Sequence, residues 1–226
     1  MIFNNLFSSD WFEFIKFFFK IIFKRKKNYN ILEKPFIDNE SLVFFNKEVD
    51  KCKTYLEYGS GGSTIYVSKK KKIVLSVEND FNFYKEVKRQ LNVQGLNANI
   101  YYANTGLTGS YGIPIFKKTT QKRLKKWKNY VTKPWSNIPT HFPYPDLIFI
   151  DGRFRVACSL YTIIILRRQK KFKIVVDDYL DRKEYKVIEK YSHFIGIKGR
   201  MGIFAPPKKF NESIYKEFEL SILKWL

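Results

Sequence analysis

Short apolar runs recur along this chain at residues 53–58, 73–77, 98–103, 146–150 and 172–176, each followed at once by Gly, Glu, Asn or Asp. Runs of this length, rich in β-branched and aromatic residues, predict strands covered on both faces. Between them, helical periodicity predicts a helix from a cap at Asp38 or Asn39 through Val49, and others over 63–70 and 81–92, the latter capped by Asp80. Further helices are expected around 118–131, 156–169 and 182–191. Two short strands near 193–198 and 201–205 are joined tightly through Gly199-Arg200. Asn211 is expected to cap a last helix with Tyr215, Phe218, Ile222 and Trp225 on one face. Strands alternating with helices predict an α/β domain: a doubly wound, mostly parallel seven-stranded sheet, an antiparallel C-terminal strand pair, and helices on both faces.

The N-terminal pattern is different. Asp10 can cap a helix whose charges, Glu13, Lys16, Lys20 and Lys24, fall in one narrow stripe, leaving the rest aromatic and aliphatic. The stretch is interrupted by charge and short for a membrane span, and no small-residue cleavage site follows. Residues 10–27 either lie on an anionic membrane surface, with Lys24-Arg-Lys-Lys27 on headgroups, or pack on protein. The expected division is 1–50 for this helix and the lead-in helix, 51–206 for the main domain with a lid-like insertion at 105–144, and 207–226 for the last helix.

The chemistry concentrates at strand ends. Glu57-Tyr-Gly59-Ser60-Gly61-Gly62-Ser63-Thr64 is a strand end, a glycine turn and a helix start, and Glu78 closes the second strand seventeen residues after Gly61. Such a turn lets backbone N–H groups approach a ligand, and a carboxylate at the next strand end suits a pair of ribose hydroxyls. A nicotinamide dinucleotide would use similar parts, but Thr64 stands where its last glycine belongs.

These motifs and their element order, over roughly residues 50–206, resemble class I S-adenosylmethionine-dependent methyltransferases, a Rossmann-like family. The resemblance implies that Gly59, Gly61 and Gly62 underlie the cofactor, with Ser60, Ser63 and Thr64 completing the turn and Glu57 opening the motif. Glu78 would take the ribose hydroxyls, and Asn79, Asn104 and Asp151 the rest of the cofactor. A third glycine common in that family is Ser63 here. Asp151, with Asp177-Asp178, also resembles the magnesium ligands of catechol-type O-methyltransferases, which implies a metal at Asp151, Asp177 and Asp178. Phe154 stands where those enzymes carry a lysine base. Without metal, Arg153, Arg155 or Arg182 could pair the carboxylates. Asp151, Arg153 and Asp177 are the candidate catalytic residues, and Arg153 and Arg155 could clamp an anionic substrate.

Composition adds less. The net charge is +21 and the aromatic share is 18%, with 22 Phe and 15 Tyr, a bias that an AT-rich coding sequence would also produce. The charge fits an anionic acceptor, a membrane surface or nucleic acid, although no RRM or zinc-finger pattern accompanies it. In the 105–144 stretch, Lys117, Lys118, Lys122, Arg123, Lys125, Lys126 and Lys128, with Trp127, Tyr130 and Trp135, predict a basic-aromatic lid surface. His141 could reach the cleft as a base, and His193 reads as structural. Two cysteines, Cys52 and Cys158, make no disulfide framework or metal knuckle and fit reduced, buried thiols of a cytoplasmic protein, at the inner membrane face if residues 10–27 bind lipid. No Ser-His-Asp order or Cys-His pairing points to nucleophilic catalysis.

The expectation is an S-adenosylmethionine-dependent O-methyltransferase acting on a small or glycan-type acceptor. The alternatives are a non-catalytic nucleotide-binding or membrane-tethered module and a nucleic-acid methyltransferase. Oligomeric state stays open.

Overall fold

The apolar runs become strands because both of their faces find a cover. The computed structural model describes residues 29–138 and 142–224, with Ile15, Lys16, Phe18 and Phe19 besides. Its strands are β1 (Thr54–Tyr58), β2 (Ile73–Glu78), β3 (Asn99–Tyr102), β4 (Leu147–Ile150), β5 (Lys173–Val176), β6 (His193–Lys198) and β7 (Met201–Ala205), in the order β3-β2-β1-β4-β5-β7-β6. The first five are parallel, while β7 runs antiparallel to both β5 and β6. β1 is buried along its whole length. Leu56, Tyr58, Leu75, Val77, Ile148 and Ile150 face one core, while Tyr55, Val74, Leu147, Phe149 and Val175 face the other.

The helices are α1 (Asn39–Lys51), α2 (Gly62–Lys69), α3 (Phe81–Val93), α4 (Gln121–Ser136), α5 (Arg155–Ile165) and α6 (Ile214–Ser221). The Asp38 side chain caps α1 through Ser41, and Asp80 caps α3 through Asn82 and Phe83, so both expected caps hold. Helices α4, α5 and α6 cover the first face; α1 and α2 cover the second, and α2 and α3 share a smaller cluster with Ile31. The chain before α1 is a strap. Ile31 is buried beside Ile65, Val87 and Leu91, and the Leu32 and Lys34 carbonyls lie where a Cβ on Gly62 would stand, at 2.6 and 2.1 Å.

Several expected boundaries move, each for a physical reason. α4 starts three residues after 118 and continues through Pro134 instead of stopping at Val131. Proline leaves a helix carbonyl without its usual N–H and breaks most helices. The carbonyl left without its N–H is that of Tyr130; at the neighbouring carbonyl, Val131, the buried Tyr58 hydroxyl donates at 2.6 Å and itself accepts from Trp135 Nε1 at 2.7 Å, so the helix is tied to the core on both sides of the proline. α5 begins at Arg155 and ends at Ile165, short of 169, because the chain turns through a Gln169 N–H to Leu166 carbonyl bond. The segment 182–191 forms a 3-10 helix, Lys183–Lys190. Its buried Tyr185 and Ile188, and the buried Tyr191 that follows, are three apart, the period that 3-10 geometry presents to one side. On α6, Phe218 and Ile222 are buried as expected, but Tyr215 points outward and Ile214 takes the inner place; Trp225 lies outside the described residues. Asn211 accepts from Ser213 N–H in the turn before that helix, whose own cap position is Ser213.

The expected helix at 10–27 lies outside the described residues except for Ile15, Lys16, Phe18 and Phe19, which are helical and exposed. Among the described residues no helix is long and apolar enough to cross a membrane. Cys52 and Cys158 are free and buried.

Trp127 is fully buried, packs on Phe154 and donates Nε1 to the Thr105 carbonyl at 3.2 Å. Trp127→Ala should therefore lower unfolding free energy by about 3–5 kcal/mol in chemical denaturation, the usual cost of deleting a large core aromatic.

Candidate functional site

The strand order reverses between β1 and β4, and open α/β sheets bind ligands in the crevice at the carboxyl ends of such a pair. Gly59 follows β1 and Gly152 follows β4. A Cβ on Gly59 would lie 2.8 Å from the Gly152 nitrogen, and Gly59 also has a φ of 96°. Only glycine permits both that conformation and that approach. Beside it, α2 starts at Gly62, leaving first-turn N–H groups at the crevice.

Glu57 lies beneath this turn and does not line the crevice. It is fully buried and accepts hydrogen bonds from Tyr55 Oη at 2.8 Å, Ser63 Oγ at 2.7 Å, Ser76 Oγ at 2.8 Å and Thr64 Oγ1. Ser60 Oγ joins Ser76 Oγ at 2.7 Å, and Thr64 Oγ1 accepts from the Gly61 N–H at 2.8 Å. Burial pushes the Glu57 carboxyl up, against the pull of those hydroxyls. Ser60, Ser63 and Thr64 thus turn their side chains inward to the carboxylate. What they can offer a ligand is backbone.

Glu78 is different. At the end of β2, its Oε1 accepts from the Asn79 and Asp80 N–H groups at 2.7 and 2.8 Å. Burial raises its pKa to about 7, partly offset by those backbone donors and that of Ser60. A carboxylate has about four acceptor positions, so capacity remains for further donors. Asn79 is buried and donates Nδ2 to Thr105 Oγ1 and the Gly112 carbonyl, so it ties the 105–112 loop to the sheet. Asn104 is exposed and accepts from Gly106 N–H at 2.8 Å. Tyr29, from the strap, packs edge-on against Phe83, and the charges of Asp80 and Glu78 help burial raise its pKa. Sequence patterning could not place Tyr29 here, since it precedes every recognisable motif.

The second cluster does come together. One ligand atom from each of Asp151, Asp177 and Asp178 lies within 4.8 Å of the others. Arg155 is nearly buried, pairing with Asp151 Oδ1 and Asp178 Oδ2, each at 3.0 Å, and donating to the Gly152, Asp151 and Asp177 carbonyls. Arg200 grips fully buried Asp177 with two bonds, Nε to Oδ1 at 2.8 Å and Nη2 to Oδ2 at 2.6 Å. Of the arginines expected to pair here, Arg182 instead faces Glu184 at 3.8 Å. Arg200 was not among them. Its place in the β6–β7 turn, opposite the end of β5 once β7 pairs with β5, was the available signal. Two guanidiniums face three carboxylates, and burial plus Asp177 pushes Asp151 above the ordinary carboxylate range despite Arg155.

Arg153 is half-buried, with its N–H to the Tyr130 hydroxyl at 3.3 Å and its Nε without a hydrogen-bond partner. Burial, then Arg155, lowers its pKa. Phe154 is fully buried against Trp127 and Tyr130, so the position of the lysine base faces the core. The fit to a divalent cation is poor as the side chains stand. Both oxygens of Asp177, both of Asp178 and one of Asp151 face guanidinium, whereas a hard cation needs about six oxygens.

The lid helix corrects another expectation. Trp127, Tyr130 and Trp135 are buried, so α4 is basic outside and aromatic inside, with no exposed stacking platform from these three rings. His193 begins β6 on the sheet edge, and His141 lies outside the described residues.

The strand order, with five parallel strands, an antiparallel closing pair and helices on both faces, is that of a Rossmann-like methyltransferase fold. The chain is similar to a methyltransferase-like protein of Silicibacter pomeroyi, with 24% identity and a TM-score of 0.71 over 85% of this chain and 99% of that one. A looser likeness is to an O-methyltransferase of Bacillus cereus in complex with SAH, at 16% identity and a TM-score of 0.41 over 84% of this chain and 75% of that one. No protein-family model and no curated protein sequence matches the chain.

Removing one partner of a buried ion pair strands the other charge. Arg200→Met should cost about 3 kcal/mol in urea denaturation, and Asp177→Asn in the same chain should recover part of it. Additive losses in the double variant would contradict the pairing.

Proposed function

We propose that this protein transfers a methyl group from S-adenosylmethionine to an oxygen of a small or glycan-type acceptor. The observation that carries this reading is Glu78, a buried carboxylate with acceptor capacity left over, beside a glycine turn whose side chains are all directed away from the crevice. That arrangement suits a nucleoside with two ribose hydroxyls and no phosphate. The acceptor side is the Asp151 cluster across the Gly59–Gly152 contact. In this reading the protein's main work is alignment: the acceptor oxygen attacks the methyl carbon in line as the carbon–sulfur bond breaks, leaving S-adenosylhomocysteine.

The acceptor hydroxyl must lose a proton. Asp151 can receive it only after releasing the one it keeps in the resting cluster, so turnover should rise with pH as Asp151 ionises. Arg155 and Arg200 supply the positive charge that the catechol-type resemblance assigns to magnesium, and we read the transfer as independent of metal. Arg153, with its unpartnered Nε, is the side chain best suited to an anionic group on the acceptor.

Calorimetry with S-adenosylhomocysteine tests the cofactor half. Ribose hydroxyls donate to ionised Glu78 and find no second acceptor on the protonated acid. Affinity should therefore be flat above pH about 7 and fall by up to about tenfold per pH unit below it. Glu78→Gln should weaken binding by about tenfold or more and flatten that slope. Equal binding by wild type and Glu78→Gln would defeat the assignment. For the metal, turnover with excess chelator should stay within about twofold of that with magnesium, and a collapse on chelation would restore the metal-dependent reading.

A further inference from the structure

The cavity of about 310 Å³ between the start of α4 and the 105–116 loop does not contain Glu78 or the aspartate cluster. One wall is Leu107, Pro114 and Phe116; the other is Lys122, Arg123 and Lys126. Among the described residues no Asp or Glu lines it. Asp80, which caps α3, touches this loop through Oδ2, 3.5 Å from Thr108 Oγ1.

Its walls are held in place. Arg123 donates Nη1 to the Lys118 carbonyl at 2.6 Å and lies 4.8 Å from the Phe116 ring centroid, stacked as a cation on that ring. Lys126 reaches Asn104 Oδ1 at 3.5 Å. The loop is closed by Gly109 N–H to the Ile113 carbonyl and Ile115 N–H to the Leu107 carbonyl, and it is anchored by Asn79 and Trp127. Thr105 and Thr120 complete the lining. Each hydroxyl accepts one hydrogen bond, from Asn79 Nδ2 and Arg123 N–H respectively, and keeps its own proton to donate.

We propose that this cavity binds the phosphoryl group of a phosphorylated small molecule, with the molecule's apolar or planar body against Phe116 and Leu107. Lys122, Arg123 and Lys126 line one small cavity, and a phosphate monoester brings about two charges and three acceptor oxygens to such a set. The neutral hydroxyls suit its remaining lone pairs. Nucleic acid fits less well, because the aromatic rings of α4 are buried and the space is enclosed on two sides. The site stands beside the proposed cofactor crevice and does not depend on its assignment.

The test is titration calorimetry of the full chain with inorganic phosphate and with phenyl phosphate at constant ionic strength. Saturable one-to-one binding is expected, tighter for phenyl phosphate. Lys122→Gln and Arg123→Gln should each weaken it by about tenfold, the loss of one charge-assisted hydrogen bond. Lys125→Gln removes the same charge from the exposed side of α4, outside the cavity, and should leave binding within about twofold. S-adenosylhomocysteine affinity should be unchanged in Lys122→Gln. Three results would overturn the site: no saturable phosphate binding, equal losses in Lys125→Gln and Lys122→Gln, or competition between phenyl phosphate and S-adenosylhomocysteine. A single-stranded RNA bound with losses shared by all these lysine variants would assign the charge to a diffuse polyanion surface instead.

Discussion

Glu57 is a fully buried carboxylate held by four hydroxyls, from Tyr55 on its own strand, Ser76 on the next, and Ser63 and Thr64 on the helix between them. Desolvating a carboxylate costs several kcal/mol unless its lone pairs are filled, so this arrangement is stable only when all three elements are in register. The Gly61 N–H then binds the same Thr64 hydroxyl, and the glycine turn inherits its shape from the carboxylate below it. The position of Glu78 follows from β1–β2 pairing that this network locks. A satisfied polar network of this kind specifies one arrangement more sharply than an apolar contact would.

The aspartate cluster is neutralised by other means. There the carboxylates meet two guanidiniums from distant parts of the chain, Arg155 at the start of α5 and Arg200 in the β6–β7 turn. Arg200 also donates to the Phe36 carbonyl and, through its backbone N–H, to Ser41 Oγ, so the strap, α1, the last hairpin and the end of β5 meet at one side chain. Hydroxyl donors leave Glu57 inert beneath the turn. Guanidinium donors, two against three carboxylates, leave the Asp151 carboxyl above the ordinary carboxylate range.

Much of this was legible in the chain. Strands buried on both faces announce themselves as unbroken apolar runs, and Asp38 and Asp80 cap the helices that their positions predict. The glycine turn, Glu78 and Asp151 lie at strand ends, where local pattern is a good guide to place. Direction was harder to read. Sequence offers no way to tell that Glu57 looks into the core or that Trp127 and Tyr130 face inward on a lysine-rich helix, because orientation depends on what packs opposite. Pro134 misled for the same reason, since the core contacts that hold its helix on both sides of the proline include Tyr58, far away in sequence. Arg200 became visible only once the β7 pairing was known.

The glycine contact at the floor of the crevice has a mechanical consequence. With no side chain between them, Gly59 and Gly152 join the two loops backbone to backbone, and the Asp151 N–H bonds the Tyr58 carbonyl at 3.0 Å. Close-packed backbones of this kind transmit displacement and have no slack to absorb it. The glycine turn and the aspartate cluster therefore form one stiff plate. The strap over Gly62 and the loop pinned by Asn79 are fastened to this plate as separate outer pieces, and it is the plate that fixes the distance between them.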